Sequence, residues 1–578
     1  MIDRRGRKTK LTRPYSSKSI VELETEFERA QDEADRVALK NLLQELDHRT
    51  TPRARVLREA LSKFLGAPQE RKTKKSRASE SERQSPPPPP RPRAKQPEFL
   101  PTDEQQEAVD QFRKGGSLKI NAFAGSGKTS TLQLIAHGTP KRGQYIAFNK
   151  AIVRDANEKF PNTVNCSTLH ALALKATPSK YKADRDKAFG KVNAKKLAEI
   201  PKLKRWSIDR KHALEPRSQG YLILDSLRRF MHSADPEPAA HHIPRHGSLL
   251  AAPDAVIKAV NDFALHGARH VWKRMIDEKD PMPLGHDGYL KLWAQNNPTI
   301  ASDYILLDEA QDTNPVVLDV LRRQPAQMIY VGDKYQQIYE WRGAVNAMEK
   351  IDTDASTFLT MSFRFGSSIA QAASKVLRHL GERRPIKGNP AVTSQIGPVT
   401  PRTILARTNA STVTAIIETL DAQKQPHLVG GTAEIMEMLR GVQDLKEGRQ
   451  STVPDFFGFE NWQEVVEFAK SGEGDHLQTF VNLVETRGER QLMWALNRTV
   501  DEEKCDVVIS TAHKAKGREW STVRLMDDFL RSGSNKAKKS PQVENGHDPA
   551  ELRLFYVALT RARNAIEVPE TVLHLLRG

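Results

Sequence analysis

Cysteine is nearly missing from this sequence. Cys166 and Cys505 are the only two in 578 residues; they allow one bridge at most, and cannot by themselves build a thiolate zinc site or an iron–sulfur cluster. A reducing compartment is therefore expected. Long apolar runs are missing too. No stretch approaches the ~18 uninterrupted residues that a bilayer crossing needs, so a soluble chain with no membrane partner is expected. The first nineteen residues, MIDRRGRKTKLTRPYSSKS, hold seven basic groups and one acid. They lack the apolar core of a secretory leader, which predicts a cytoplasmic protein, nucleoid-associated if prokaryotic, and not a secreted one. No repeat with a period of 20–50 residues is present, which argues against solenoids and propellers. A single hydrophobic core is excluded by length, since roughly 150 residues per domain predicts about four domains.

What the chain has in excess is positive charge, and it is localised. Residues 1–100 carry 24 basic and 15 acidic side chains and residues 180–217 carry 13 and 5, so nearly all of the net +18 lies in these two stretches. Concentrated positive charge beside a neutral body is the electrostatic footprint of a polyanion binder, with nucleic acid the usual polyanion in cells. Neither stretch carries the long Trp/Phe/Leu face of a membrane-surface helix.

The chain divides by composition. Residues 1–67 read as a basic arm followed by a helical hairpin. Ile20, Leu23, Phe27, Ala30, Ala34 and Val37 fall on one helical stripe, and Thr51 with Pro52 opens a second helix through Ala60, Leu61 and Phe64 that stops at Gly66. This unit is a candidate docking site for a partner protein or a second contact to DNA. Residues 68–98, with the run SPPPPPRPR, have nothing to bury and read as an extended linker. From Phe99 onward short apolar runs alternate with helical periodicity, which predicts an α/β fold with parallel sheets.

Two segments carry the chemistry. LKINAFAGSGKTSTLQLI sets an apolar strand, Leu118 to Ala122, before a glycine-containing loop and a helix. Gly125 and Gly127 let backbone N–H groups approach a triphosphate, Lys128 supplies a cation to the outer phosphates, and Thr129 offers a hydroxyl to Mg²⁺. The first glycine of the usual GxxxxGK[ST] pattern is here Ala122. In YILLDEAQD a buried strand from Tyr304 to Leu307 delivers Asp308 and Glu309 to its C-terminal end, where α/β sheets place ligands. Asp308 is the Mg²⁺-side carboxylate, and Glu309 the candidate base for an attacking water.

With VGDKYQQIYEWRGA at 331–344, the set resembles the superfamily 1 DNA helicases of the UvrD/Rep/PcrA type. LPTDEQQEAV at 100–109 resembles the adenine-reading Q motif, SFRF at 362–365 motif IV, STAHKAKGREW at 510–520 motif V and LFYVALTRAR at 554–563 motif VI. YIAFNKAIVRDANEKFP, STLHALAL, HDGYLKLW and SFRFGSSIA are most similar to the F-box DNA helicase branch, although no F-box is seen. The resemblance implies ATP and Mg²⁺ held between two RecA-like domains with mostly helical insertions. It assigns the first domain to 99–179 and 296–355 with a basic insertion at 180–295, and the second to 356–430 and 500–578 with a short insertion at 431–499.

By the same resemblance, Gln105 reads the base and Glu519 the ribose, while Ala124, Gly125, Ser126, Gly127, Lys128, Thr129 and Ser130 wrap the phosphates. Thr129 and Asp308 take the metal. Gln336 and Arg364 meet the γ-phosphate, and Arg561 is the arginine finger. Single-stranded DNA and its junctions with duplex are the implied partners, contacted by Phe148, Asn149, His170, Tyr339, Trp341, Arg342 and His513. Phe148 lies one position away from where the family places its stacking ring. The implied activity is ATP-driven movement from 3′ to 5′ on single-stranded DNA, in repair, recombination control, replication or anti-phage defence. An RNA helicase of the same superfamily is the alternative, or a DNA-stimulated ATPase that acts in a complex without unwinding. No nuclease carboxylate cluster follows motif VI.

Overall fold

The computed structural model describes residues 36–49, 99–147, 149–192, 203–209, 212–339, 346–470, 474–530 and 547–576, with the single positions 15, 23, 26, 27, 54, 57, 58, 61, 194 and 197. The basic arm apart from Tyr15, the expected cap at Thr51 and Pro52, the stop at Gly66, the linker, Phe148, Trp341, Arg342 and ten residues of the 180–217 stretch lie outside them. Two compact units result, residues 1–90 and 91–578.

In the first unit, Leu23, Phe27, Leu39, Leu42, Leu46, Ala54, Leu57 and Leu61 bury one another in a small core of their own. Helix Arg36–Leu46 supplies three of these leucines at helical spacing, a helix that the stripe read from Ile20 to Val37 does not separate.

The second unit is α/β, as expected, and is built on two parallel sheets. The strands in chain order are β1 (Leu118–Ala122), β2 (Gly143–Ile146), β3 (Val164–Ser167), β4 (Trp206–Ser207), β5 (Ala213–Leu214), β6 (Tyr304–Leu307), β7 (Gln327–Gly332), β8 (Ala355–Leu359), β9 (Gln395–Ile396), β10 (Thr403–Ala406), β11 (Pro426–Leu428), β12 (Val507–Thr511), β13 (Trp520–Leu525) and β14 (Ala562–Glu567). The first sheet has the order β3-β2-β6-β7-β1-β8 and the second β11-β12-β10-β13-β14-β9, with β4 and β5 forming a separate antiparallel pair. Strands β2, β6 and β10 are buried along their whole length, because helices cover both faces of a parallel sheet. Strand β8 pairs with β1 from Leu118↔Ala355 to Ala122↔Leu359, so the first sheet runs past the expected boundary at 355.

The insertion between β3 and β6 is mostly helical, led by Pro216–His232, Asp254–Ile276 and Gly285–Gln295. Two of its helix ends are closed by buried lysines. Lys187 Nζ donates to the carbonyls of Arg274, Met275 and Met282, and Lys291 Nζ to those of Ser233 and Asp235. Part of the basic stretch is therefore structural: Lys187 is 3% exposed, Lys180 pairs with Glu278, and Arg205 pairs with Glu215 and Glu460. Trp206 packs on Phe263.

The second insertion supplies helices Ala433–Lys446, Trp462–Lys470, Asp475–Arg487 and Glu489–Leu496, whose apolar faces share one core with β10, β11 and β12. The two insertions touch, Tyr221 lying edge-on to Phe457. A Cβ on Gly247 would lie 2.2 Å from the Phe457 carbonyl. Among the described residues no helix is long and apolar enough to cross a membrane.

Candidate active site

Strand β1 lies between β7 and β8, and β6 follows β7, so the loops after β1 and β6 open on the same edge of the first sheet. The loop after β1 turns through Gly125 (φ +73°) and Gly127 (φ +78°), backbone that side-chain-bearing residues rarely adopt. Space matters as well: a Cβ on Gly125 would lie 2.6 Å from Ser362 Oγ and 2.8 Å from Arg364 Cβ. Helix Lys128–His137 begins immediately afterwards, with no side-chain cap and no acid in its first turn. Its first amides are therefore left without a side-chain acceptor, and they and the helix dipole suit an anion. Ser126 is tied into the loop through its bond to the Phe123 carbonyl, and Ala124 and Ser130 flank the turn.

The two carboxylates stand across from this helix. Thr129 Oγ1 and the Tyr145 hydroxyl donate to Asp308 Oδ2 at 3.0 and 2.8 Å, and Lys128 Nζ lies 3.1 Å from Glu309 Oε1. Gln311 Nε2 donates to the other Glu309 oxygen, and Glu309 itself sits in left-handed backbone (φ +53°), strain of the kind found at functional positions. Burial and the adjacent Glu309 push the Asp308 carboxyl up, while Glu309 is held down to about 2 because Lys128 and Lys516 outweigh its own burial. Burial works against the Lys128 ammonium too, but Glu309, Asp333 and Asp308 prevail and hold its pKa above the ordinary value.

The second sheet closes the site from the opposite side. Arg561 is 1% exposed; its guanidinium donates to Gln336 Oε1, to the carbonyls of Val557 and Arg518, and to Thr560 Oγ1. Burial and the nearby Arg364 both lower its pKa. Gln336 in turn donates to Asp333 Oδ2 at 2.7 Å, and the Tyr556 hydroxyl donates to the same oxygen while accepting from the Ala124 N–H of the glycine loop. Lys516 bonds both oxygens of Asp312 and the Gln336 carbonyl across the seam. Arg364 pairs with Glu519 at 2.6 Å and donates to the Thr560 carbonyl. Gln105 caps its own helix with Thr102, donates to Thr131 Oγ1, and lies beside Gly127 together with the Phe363 ring.

Gln105, the 124–130 loop, Asp308, Glu309, Gln336, Arg364, Glu519 and Arg561 are thus gathered at one seam. The residues expected to touch a strand are more scattered. Asn149 caps helix Lys150–Lys159. His170 faces Asp287 at 3.4 Å, with His232 on the other Asp287 oxygen. Tyr339 donates to the His513 carbonyl, and Lys516 sits 5.2 Å from its ring, so this tyrosine is engaged in the seam. Sequence reading did not single out Tyr145, Gln311, Asp312, Asp333, Phe363, Lys516 or Tyr556. All seven lie inside the quoted motifs, but no local pattern links Asp312 to a lysine 204 positions away. Phe363 is the one with a visible signal, a large apolar residue next to Arg364, and it is 44% exposed.

Family models match in two places: the UvrD/REP helicase N-terminal domain over residues 292–355 and the UvrD-like helicase C-terminal domain over residues 440–568. Both halves of the second unit are thus similar to the UvrD-like helicase domain models. Similar curated proteins agree with that placement. F-box DNA helicase protein 1 of Schizosaccharomyces pombe is 31% identical over 514 residues, 82% of this chain and 58% of the relative. F-box DNA helicase 1 of Gallus gallus is 29% identical over 513 residues, 82% of this chain and 49% of the relative. ATP-dependent DNA helicase PcrA of Staphylococcus epidermidis is 37% identical over 90 residues, 14% of this chain and 12% of the relative. The chain thus spans about half the length of the F-box DNA helicases that it matches. Its two parallel sheets are the paired RecA-like cores of the UvrD-like fold, and the seam between them is the site assembled above.

Proposed function

We propose that the chain is an ATP-dependent DNA helicase or translocase that moves from 3′ to 5′ on single-stranded DNA and acts at junctions with duplex. The observation that carries this reading is the continuous network from Lys128 through Glu309, Gln311, Asp333 and Gln336 to Arg561, since it joins a phosphate loop on one sheet to an arginine on the other. A nucleotide-binding module that only binds has no need of the second half.

In this reading the triphosphate lies on the loop amides of 124–130, with Lys128 on its outer phosphates. The base rests between Gln105 and the Phe363 ring, and the ribose lies at Glu519. Thr129 and Asp308 offer hard oxygen donors 3.0 Å apart, a donor set that suits Mg²⁺, and a bound Mg²⁺ would neutralise charge on the phosphate oxygens. Glu309, ionised far below neutral pH, accepts the proton of the attacking water. Arg364 and Arg561 stabilise the charge that develops on the transferred group.

Nucleotide contacts to Gln336 and Arg561 would compete with the bonds these residues now make to each other. Hydrolysis would therefore change how the two domains hold Tyr339 and the 513–516 loop. A strand gripped by those segments and by Trp341 would advance with each cycle, with ring stacking worth ~1–3 kcal/mol per base. Movement from 3′ to 5′ rests on the family resemblance. Strand displacement on substrates with 3′ or 5′ tails is the test. Displacement from 3′ tails only, lost in Lys128→Ala, is expected; displacement from 5′ tails, or stimulation of ATP turnover by RNA in preference to DNA, overturns the reading.

A further inference from the structure

Tyr145 is a fully buried phenol pointed at a buried carboxylate, and nothing in the hydrolysis scheme above uses it. It lies on β2, which pairs with β6 through Tyr145↔Leu306 and Ile146↔Leu307, and the Asp308 N–H continues that ladder by donating to the Ile146 carbonyl. The backbone register thus brings Asp308 to the end of the strand beside Tyr145. The phenol is 0% exposed, its ring lies 4.6 Å from that of Phe160, and its hydroxyl donates to Asp308 Oδ2 at 2.8 Å.

Three donors converge on the Asp308 carboxylate: Tyr145 and Thr129 on Oδ2 and the Glu309 N–H on Oδ1. They differ in what else they can do. The Thr129 hydroxyl has one proton and two lone pairs, so it can donate to Asp308 and still turn an oxygen lone pair toward a cation. The Glu309 amide is part of the strained turn that carries the base. Tyr145 alone approaches from within the sheet, its ring packed on Phe160 and its one phenolic proton committed to the carboxylate.

We propose that Tyr145 is a positioning residue that orients Asp308 toward the divalent cation of the nucleotide complex. This rests on the reading of Asp308 as the cation-side carboxylate. Partners that orient a ligating group commonly change metal affinity about 10–100-fold when removed, because a carboxylate free to rotate must be ordered each time the cation binds.

The test is binding rather than turnover. The full chain is titrated with Mg²⁺ at fixed fluorescent ADP, and the Mg²⁺ midpoint of the nucleotide signal is read; Mn²⁺ bound in the presence of ADP, counted by its spin resonance, gives a second readout. Tyr145→Phe is expected to raise the midpoint about 10-fold or more, with Mg²⁺-free binding of single-stranded DNA unchanged. Phe160→Leu disturbs the packing of the same ring without removing the hydroxyl. It is expected to lower the melting temperature and leave the midpoint at the parent value, a split that a merely structural role would not produce. Tyr145→Met is a second variant without the hydroxyl, and a parent-like midpoint in either folded Tyr145 variant overturns the proposal. Asp308→Asn separates the two levels. If it too leaves the midpoint unchanged, the cation-site reading fails; if it shifts the midpoint and the Tyr145 variants do not, only the role of Tyr145 fails.

Discussion

Arg561 shows how much a single side chain contributes at the seam. Burying a guanidinium is costly, and its presence at 1% exposure is sustained by acceptors on every side, Gln336 among them. If it is the group that meets transition-state charge, Arg561→Ala should lower kcat for ATP hydrolysis on the order of 10³-fold while single-stranded DNA still binds, which stopped-time phosphate release and anisotropy would check together. Asp312 gives a pH prediction. Burial pushes its carboxyl up to about 6 against the pull of Lys516. A raised carboxyl means that the folded chain holds a proton which the unfolded chain has released. Its contribution to stability is therefore complete below the unfolded value of 3.8 and is lost as pH rises through about 6. Across the same window the ion pair to Lys516 forms, so activity should rise as this carboxyl ionises. Asp312→Asn should flatten the stability profile between pH 3.8 and about 6, followed by thermal unfolding, and the activity profile around pH 6, followed by ATP turnover.

At the scale of elements, helix ends and strand ends carry the function. The glycine loop is followed by an uncapped helix start, whereas Thr102, Asn149, Thr168, Asn314 and Thr408 cap their helices with side-chain oxygens. That contrast is legible in sequence as Gly127 in place of a Ser, Thr, Asp or Asn. The buried lysines are the opposite case. Lys187 lies in a run dense with positive charge and reads as solvated or phosphate-seeking, yet it closes the end of helix Asp254–Ile276 by donating to carbonyls almost ninety positions ahead. Only the packing of that helix brings those carbonyls within reach. Lys187→Met should leave them without a donor and cost about 2 kcal/mol in a chemical-denaturation midpoint, with no change in the salt dependence of DNA binding. A lysine on phosphate would give the reverse.

For the whole molecule, the two sheets are joined by direct polar links, among them Tyr556 to Asp333 and Ala124, Arg553 to Gln337, Lys516 to Asp312, and Arg561 to Gln336. Several of these links fall on groups that the proposed nucleotide would engage, and an apolar core containing Phe123, Ala124, Tyr335 and Ile338 backs them. The N-terminal unit is compact by itself, with its own leucine core, and most of the surplus charge of residues 1–100 falls in segments on either side of that core. If those segments grip the polyanion, deleting residues 1–98 should flatten the plot of log affinity against log salt by ~0.7 per lost single-strand contact. An unchanged slope would make this unit a docking element for a partner protein.

The sequence alone determined the α/β class, the phosphate loop on β1, the carboxylate pair on β6 and the order of the motifs, because each depends on a few neighbouring residues whose spacing sets strand, turn and helix. It could not determine that Tyr145 meets Asp308, that Tyr556 ties the glycine loop to Asp333, or that Lys187 is spent on helix carbonyls. Those pairings join positions 87 to 432 residues apart. They exist only once strand order and helix packing have brought distant segments to one place, and no local periodicity records that.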